Sequence, residues 1–210
     1  MRSLAVSLLL VAPAALAPAE PPVLLPPGYM TADAALALMH QLSAQLLASP
    51  SATLTLERWC ADHRLAEVPK VVAMVERGAI RAPTPDQIAR LQLGPDDRIG
   101  YRHVRLMCGA RTLSEAENWY VASRLTPAMN DALAASDVPY GKLILPLKPK
   151  RRSLGVEMLW SPPAGARDRP LALPQALFRH RALVLDGQGR PLAEVAETYT
   201  SQNLASLSAR

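Results

Sequence analysis

Two charged residues stand on otherwise apolar strand faces, and these are the positions where the sequence could do chemistry. Side chains alternate between faces along a strand. Arg102 therefore shares a face with Val104, Leu106 and Cys108, and Glu197 shares one with Ala193, Val195 and Tyr199. An ion on such a face is costly unless it meets a counter-ion, a ligand or water. Arg102 and Glu197 can satisfy each other as a structural ion pair, or they can face a small acid. A guanidinium presents a planar fork to a carboxylate, and desolvation raises the proton affinity of a Glu among apolar groups, which suits proton transfer. The same alternation also permits the opposite faces to point inward.

The other candidate groups are more dispersed. Within Ser114–Tyr120, Glu115 and Glu117 share a face with Trp119, while Ser114, Asn118 and Tyr120 share the other, and either can be the inner one. His40, His63, His103 and His180 are scattered, and no His-x-His or Cys-x-x-Cys occurs, so a metal site is not expected. Ser114 and Ser123 lack a nucleophile-elbow context, and the ten glycines form no phosphate-binding loop. The run Lys148–Arg152 is the single basic cluster and reads foremost as a solvated sheet edge that discourages edge pairing. Cys60 and Cys108 can pair in an oxidising compartment, although two small apolar core thiols are the commoner outcome.

The elements that must position these residues emerge from patterning. Of 210 residues half are apolar, enough to close a core, and aromatics are only 4%. Basic residues exceed acidic ones by 23 to 18, too small and scattered an excess to suggest nucleic acid. Met1-Arg2, the uncharged run Leu4–Leu16 and Ala17-Pro18-Ala19 match a secretory signal over residues 1–19. A Pro-rich lead-in would come next over 20–28, then one domain over 29–202 and a tail over 203–210. The expectation is thus an exported protein, periplasmic or secreted, with no membrane attachment after cleavage.

Thr31 caps a helix carrying Ala35, Leu38, Leu42 and Leu46 that Pro50 ends, and a second helix runs from about Thr53 to His63. Lys70–Arg77 reads as a strand, and Thr84-Pro85-Asp86-Gln87 as a capping box opening a brief helix. Arg98–Cys108 and Thr112–Val121 form a hairpin, and Thr126-Pro127 begins another helix. Strands are expected at Leu143–Leu147 and Arg152–Trp160, a loop at Ser161–Pro174, and a second hairpin from Gln175–Leu185 and Arg190–Thr200. The pattern is that of a single α+β domain with an antiparallel sheet.

In order along residues 53–200 several segments resemble the chorismate pyruvate-lyase family, whose fold is shared with ligand-sensing domains of transcription regulators. They are Thr53-Leu54-Thr55, Val72–Gly78, Arg102–Leu106, Pro139-Tyr140-Gly141-Lys142 with Arg152 at the family's spacing, and Gly189–Leu192 followed by Glu197-Thr198-Tyr199. The resemblance implies a sheet of about six antiparallel strands with helices on one side. It implies a substrate-binding role for Arg102, Leu54, Arg152 and Tyr199, and a catalytic one for Glu197. Register leaves Glu194 as an alternative to Glu197, and His103 with Arg105 as alternatives to Arg102.

Two functions are then expected. One is a cofactor-free lyase that cleaves the enolpyruvyl ether of chorismate, or of a related carboxylated ring, to an aromatic acid such as 4-hydroxybenzoate and pyruvate. The other is an exported, non-catalytic protein that binds a small carboxylate in the same pocket. Either has a small carboxylated ligand as partner, and the oligomeric state is left open.

Overall fold

In the computed structural model the Thr31 side chain accepts the Ala34 N–H and starts α1 (Ala32–Ala48). The α1 stripe Ala35, Met39, Leu42 and Leu46 is wholly buried, with Leu38 at its margin. After the turn Ser49-Pro50-Ser51, the Ser51 hydroxyl caps α2 (Ala52–Asp62). The reciprocal Thr84–Gln87 box opens α3 (Pro85–Leu91), and Thr126 caps α4 (Pro127–Ala135). The structure describes residues 23–25, 30–163 and 171–204; the expected signal segment, most of the lead-in and most of the tail lie outside the described residues.

Six strands build the main sheet: β2 (Val71–Val75), β3 (Ile99–Cys108), β4 (Arg111–Val121), β5 (Lys150–Met158), β7 (Ala176–Leu185) and β8 (Pro191–Thr200). Their order is β2-β3-β4-β8-β7-β5, antiparallel throughout. A two-stranded ribbon pairs β1 (Val23–Leu25) with β6 (Leu171–Leu173). The molecule is a single α+β domain of chorismate lyase-like topology, with α1, α2, α4 and α5 (Tyr140–Leu143) on one face. The two-turn α3 lies on the other, where Leu91 packs with Trp119, Val121 and Leu183.

Three local expectations change. Leu143–Leu147 is not a strand: α5 covers its start and a 3₁₀ turn spans Leu145–Leu147. Ile144 is buried while Leu145 is exposed, so the apolar residues Leu143, Ile144 and Leu147 face inward at helical rather than alternating spacing, an ambiguity inherent in short apolar runs. The end of the expected loop Ser161–Pro174 is β6, because Leu171 and Leu173 both have core to enter. Cys60 and Cys108 are joined as a disulfide, with both residues fully buried, tying α2 to the end of β3.

Strand register sets the layout of the inward face. Arg102 lies opposite Asn118, which lies opposite Val195; in the next row Val104, Ala116, Glu197 and His180 succeed one another across four strands. Arg102 and Glu197 thus face the same way, two strands and one row apart, which is about 12 Å between Cα atoms from strand spacing.

Candidate functional site

The inward face of the sheet carries three charges, and their pairing differs from the simplest expectation. Arg151, within the basic cluster, turns under the helices and donates from Nη2 to Glu197 Oε2 at 2.6 Å. The Tyr199 hydroxyl donates to the same oxygen at 3.0 Å. Glu197 is 6% exposed and Tyr199 fully buried, its ring stacked on Phe178. Burial raises the Tyr199 phenol well above its ordinary pKa, and the Glu197 charge adds to that. For Arg151 burial opposes the charge, but the Glu197 carboxylate outweighs it and holds the guanidinium above its usual value.

Arg102 does not meet Glu197. Its Nη1 donates to the Val138 carbonyl at 3.1 Å and its Nη2 to the Ser136 carbonyl at 3.3 Å, while its Nε has no partner. The residue is 5% exposed and has no carboxylate within ion-pair distance among the described residues. Burial accordingly pulls its pKa below the ordinary arginine value. Loop 136–138, between α4 and α5, is therefore stitched to β3 by a cation that two carbonyl dipoles solvate and no anion neutralises.

Between this face and the helices lies a small, partly open cavity of about 30 Å³. Its polar lining comes from Ser51 and Thr53 at the start of α2, Asn118 on β4, Tyr140 on α5, and the Arg151–Glu197 pair. Val104 and Asn118 adjoin Arg102 along β3 and across to β4. The first amides of a helix have no intrahelical acceptor and carry partial positive charge, and those of Ala52 and Thr53 belong to this wall. The Tyr140 hydroxyl is buried without a partner, and burial raises its pKa. Gly141 fits against this wall because a Cβ there would sit 2.9 Å from Thr53 Oγ1.

Beside the ion pair, His180 is 1% exposed and shares a hydrogen bond of 2.9 Å between its Nε2 and Ser43 Oγ of α1. Its Nδ1 is unpartnered. Burial lowers its pKa to about 4, against a smaller opposing effect of Glu197.

The remaining sequence candidates lie elsewhere. Arg152 is exposed on the opposite face, in register with Leu183 at the sheet edge; Arg151 is the inward cation. Leu54 is half-buried and lines a depression on the outer flank of α2 rather than the cavity. Glu194 is buried on the opposite face, where Arg90 of α3 holds it from Nε at 2.7 Å and Nη2 at 3.0 Å. His103 bonds Glu76, and Arg105 reaches the Met74 sulfur, both on that same opposite face. Of the sequence alternatives, then, Arg102 and Glu197 are the inward pair. Asn118 lies on the inner of the two faces that alternation offered for β4, and Arg151, Tyr140 and His180 are the inward polar residues that strand alternation had not singled out.

Among the described residues no cluster of three His, Cys, Asp or Glu side chains is placed to hold a metal ion, and no helix is long and apolar enough to cross a membrane.

No family model matches the chain. Among solved structures it is similar to YydK of Bacillus subtilis, described as a possible transcriptional regulator, with a TM-score of 0.41 and 20% identity over 63% of this chain and 59% of that one. The chain thus spans about three fifths of YydK's length. It is also similar to a ligand-binding domain of a GntR-family regulator from Bordetella bronchiseptica, with a TM-score of 0.40 and 16% identity over 63% and 83% of the two chains. A third likeness is to the effector domain of PhnF from Mycobacterium smegmatis, with a TM-score of 0.42 and 10% identity over 62% and 81%.

These findings correct the expectation of a periplasmic or secreted lyase with a signal peptide. The three structures of similar outline are described as a possible transcriptional regulator, a regulator's ligand-binding domain and an effector domain, none as an exported lyase. The residues on which the export reading rested are outside the described ones. An uncharacterized protein of Sinorhizobium fredii, y4mC, is 41% identical over 181 residues, covering 81% of this chain and 76% of the relative, and the chain belongs to the same family as y4mC.

Proposed function

We propose that the chain is a non-catalytic binding protein whose inward cavity takes the head of a small carboxylate. The observation that carries this is Arg102, which adjoins the cavity-lining residues Val104 and Asn118: a buried guanidinium with no acidic ion-pair partner among the described residues and a free Nε, on a face whose other cation is already neutralised. Two cations and one anion leave that face short of one negative charge, and buried charges are ordinarily paired. The start of α2 adds a favourable dipole for an anion. A volume of about 30 Å³ suits two waters, each needing about 10–15 Å³, and two water sites are what the oxygens of one carboxylate would replace.

The same volume speaks against cleavage of a carboxylated ring, since pockets for such ligands run to about 300–1,000 Å³. Glu197 also has Oε2 engaged by both Arg151 and Tyr199, an arrangement that holds a carboxylate in place rather than freeing it to move a proton.

Thermal unfolding with acetate tests the reading. Acetate at 100 times its Kd should stabilise the protein by about 2.7 kcal/mol, and Arg102→Ala should weaken binding by roughly 1.5–3 kcal/mol, the worth of a charged hydrogen bond. No stabilisation by acetate or formate, or an unchanged affinity in the variant, refutes it. Production of 4-hydroxybenzoate from chorismate would restore the lyase reading instead.

A further inference from the structure

The outer flank of α2 carries a second and much larger depression, about 460 Å³, which the site above does not use. Leu54, Arg58 and Ala61, at i, i+4 and i+7, run along it on one helix face. Pro50 and Pro69 add rigid apolar walls from the flanking turns. Among the described residues no aromatic ring contributes to the lining, which, Ser49, Glu57 and Arg58 apart, is aliphatic and offers nothing for a flat ligand to stack on.

Charge decides what else the occupant must carry. Glu57 also lines the groove, but its Oε2 already accepts the Val71 N–H at 2.8 Å and the Lys142 ammonium. Lys70 lies close enough to help hold that carboxyl below its usual range, although burial works against it. Arg58, by contrast, is exposed and makes no ion pair among the described residues. The groove's acid is therefore spoken for, while a guanidinium remains open beside aliphatic walls. A neutral ligand would leave that fork unused, and a cation would be repelled by Arg58 and Lys70.

We propose that this groove binds an aliphatic monocarboxylate, with its carboxylate on Arg58 and its chain along Leu54 and Ala61 between the two prolines. The helix rises about 10 Å from Leu54 to Ala61, at roughly 1.5 Å per residue, long enough to hold the six-carbon chain of hexanoate within it. The volume falls within the range of small-molecule sites, about 300–1,000 Å³.

The experiment is an amide chemical-shift titration of the whole protein with hexanoate, hexanol and hexylamine. Hexanoate should perturb residues 54–61 with saturation, hexanol should bind on the order of tenfold more weakly, and hexylamine should not bind. Arg58→Gln should weaken hexanoate about tenfold and leave acetate-induced shifts at the inner cavity unmoved. Equal affinity for hexanoate and hexanol, or an unaltered affinity in Arg58→Gln, overturns the proposal. So do hexanoate shifts confined to cavity residues such as Asn118 and Val195. Acetate failing at the cavity while hexanoate binds the groove would sink only the cavity reading, so the two can fail separately.

Discussion

Replacing Arg151 by Met should destabilise the fold by leaving the buried Glu197 carboxylate without its counter-ion. The Arg151 side chain is 11% exposed and that of Glu197 7%, with 2.6 Å between their bonded atoms. Removing one partner from a buried pair leaves the other uncompensated and costs about 3–5 kcal/mol. Tyr199 still donates to Glu197 at 3.0 Å, which places the expectation nearer the lower end. For a chain of this size each kcal/mol shifts Tm by about 2–4 °C, so the midpoint should fall by roughly 6–20 °C. Replacing both partners, as Arg151→Met with Glu197→Gln, removes both charges together and should recover most of that loss, because an apolar or neutral pair of similar volume is often as stable as the ionic one. Urea unfolding at pH 7, followed by circular dichroism, yields the four free energies of a double-mutant cycle. A loss below about 1 kcal/mol in Arg151→Met, or strict additivity in the double variant, would mean that Arg151 does not neutralise Glu197.

Two further outcomes concern buried groups. His180 has a folded pKa of about 4 against an ordinary 6.5, so the unfolded chain takes up its proton first as pH falls. Its contribution is complete above about pH 6.5 and is lost progressively down to about pH 4, amounting to about 3 kcal/mol at 1.36 kcal/mol per pH unit. Urea midpoints between pH 7 and pH 4.5 measure this, and a profile unchanged by His180→Leu would assign the acid sensitivity to other groups. The Cys60–Cys108 bond spans 48 residues, a loop whose closure corresponds to about 4 kcal/mol in the chain-entropy treatment. The Cys60→Ala/Cys108→Ala variant should lose about that much in urea unfolding, and a loss under about 1 kcal/mol would show that the bridge constrains little.

How much of the fold and the site is legible in the sequence depends on whether a local rule has one outcome or two. Capping boxes and hairpin turns have one: Thr84–Gln87 and the turn that follows Cys108 lie where the sequence puts them. Gly109, at φ 56°, occupies the left-handed region a tight turn needs. Alternation fixes which residues share a face, and it rightly groups Arg102 with Val104 and Glu197 with Val195, but it does not say which face is inner. Arg151 escapes because three consecutive cations, Lys150, Arg151 and Arg152, read as a solvated edge. The edge is real, since β5 ends the sheet, yet an edge strand still turns every second side chain under the helices. A bulge between Ser153 and Gly155 further obscures which one that is. His180 is within reach, because Phe178, His180, Ala182 and Val184 alternate as cleanly as the β3 residues do. A neutral imidazole in such a row simply carries less of a signal than a charge.

The free Nε of Arg102 bears on how an anion would be held. Nη1 and Nη2 are committed to the carbonyls of Val138 and Ser136, so a carboxylate that bonds Nε alone leaves loop 136–138 where it is. Each terminal nitrogen carries two N–H groups, so a bidentate grip through Nε and the second N–H of a terminal nitrogen also leaves it in place, whereas a carboxylate that takes the N–H groups facing the two carbonyls draws them away. That loop does more than close the cavity, because the Asp137 carbonyl accepts the Ala73 N–H and so covers part of the outer edge of β2. Binding beside the carbonyl contacts and binding in place of them therefore differ in a measurable way: the first leaves amide exchange at Ala73 unchanged, and the second speeds it as ligand is added. Which of the two occurs decides whether the cavity is a passive anion site or one whose occupancy reaches the edge of the sheet.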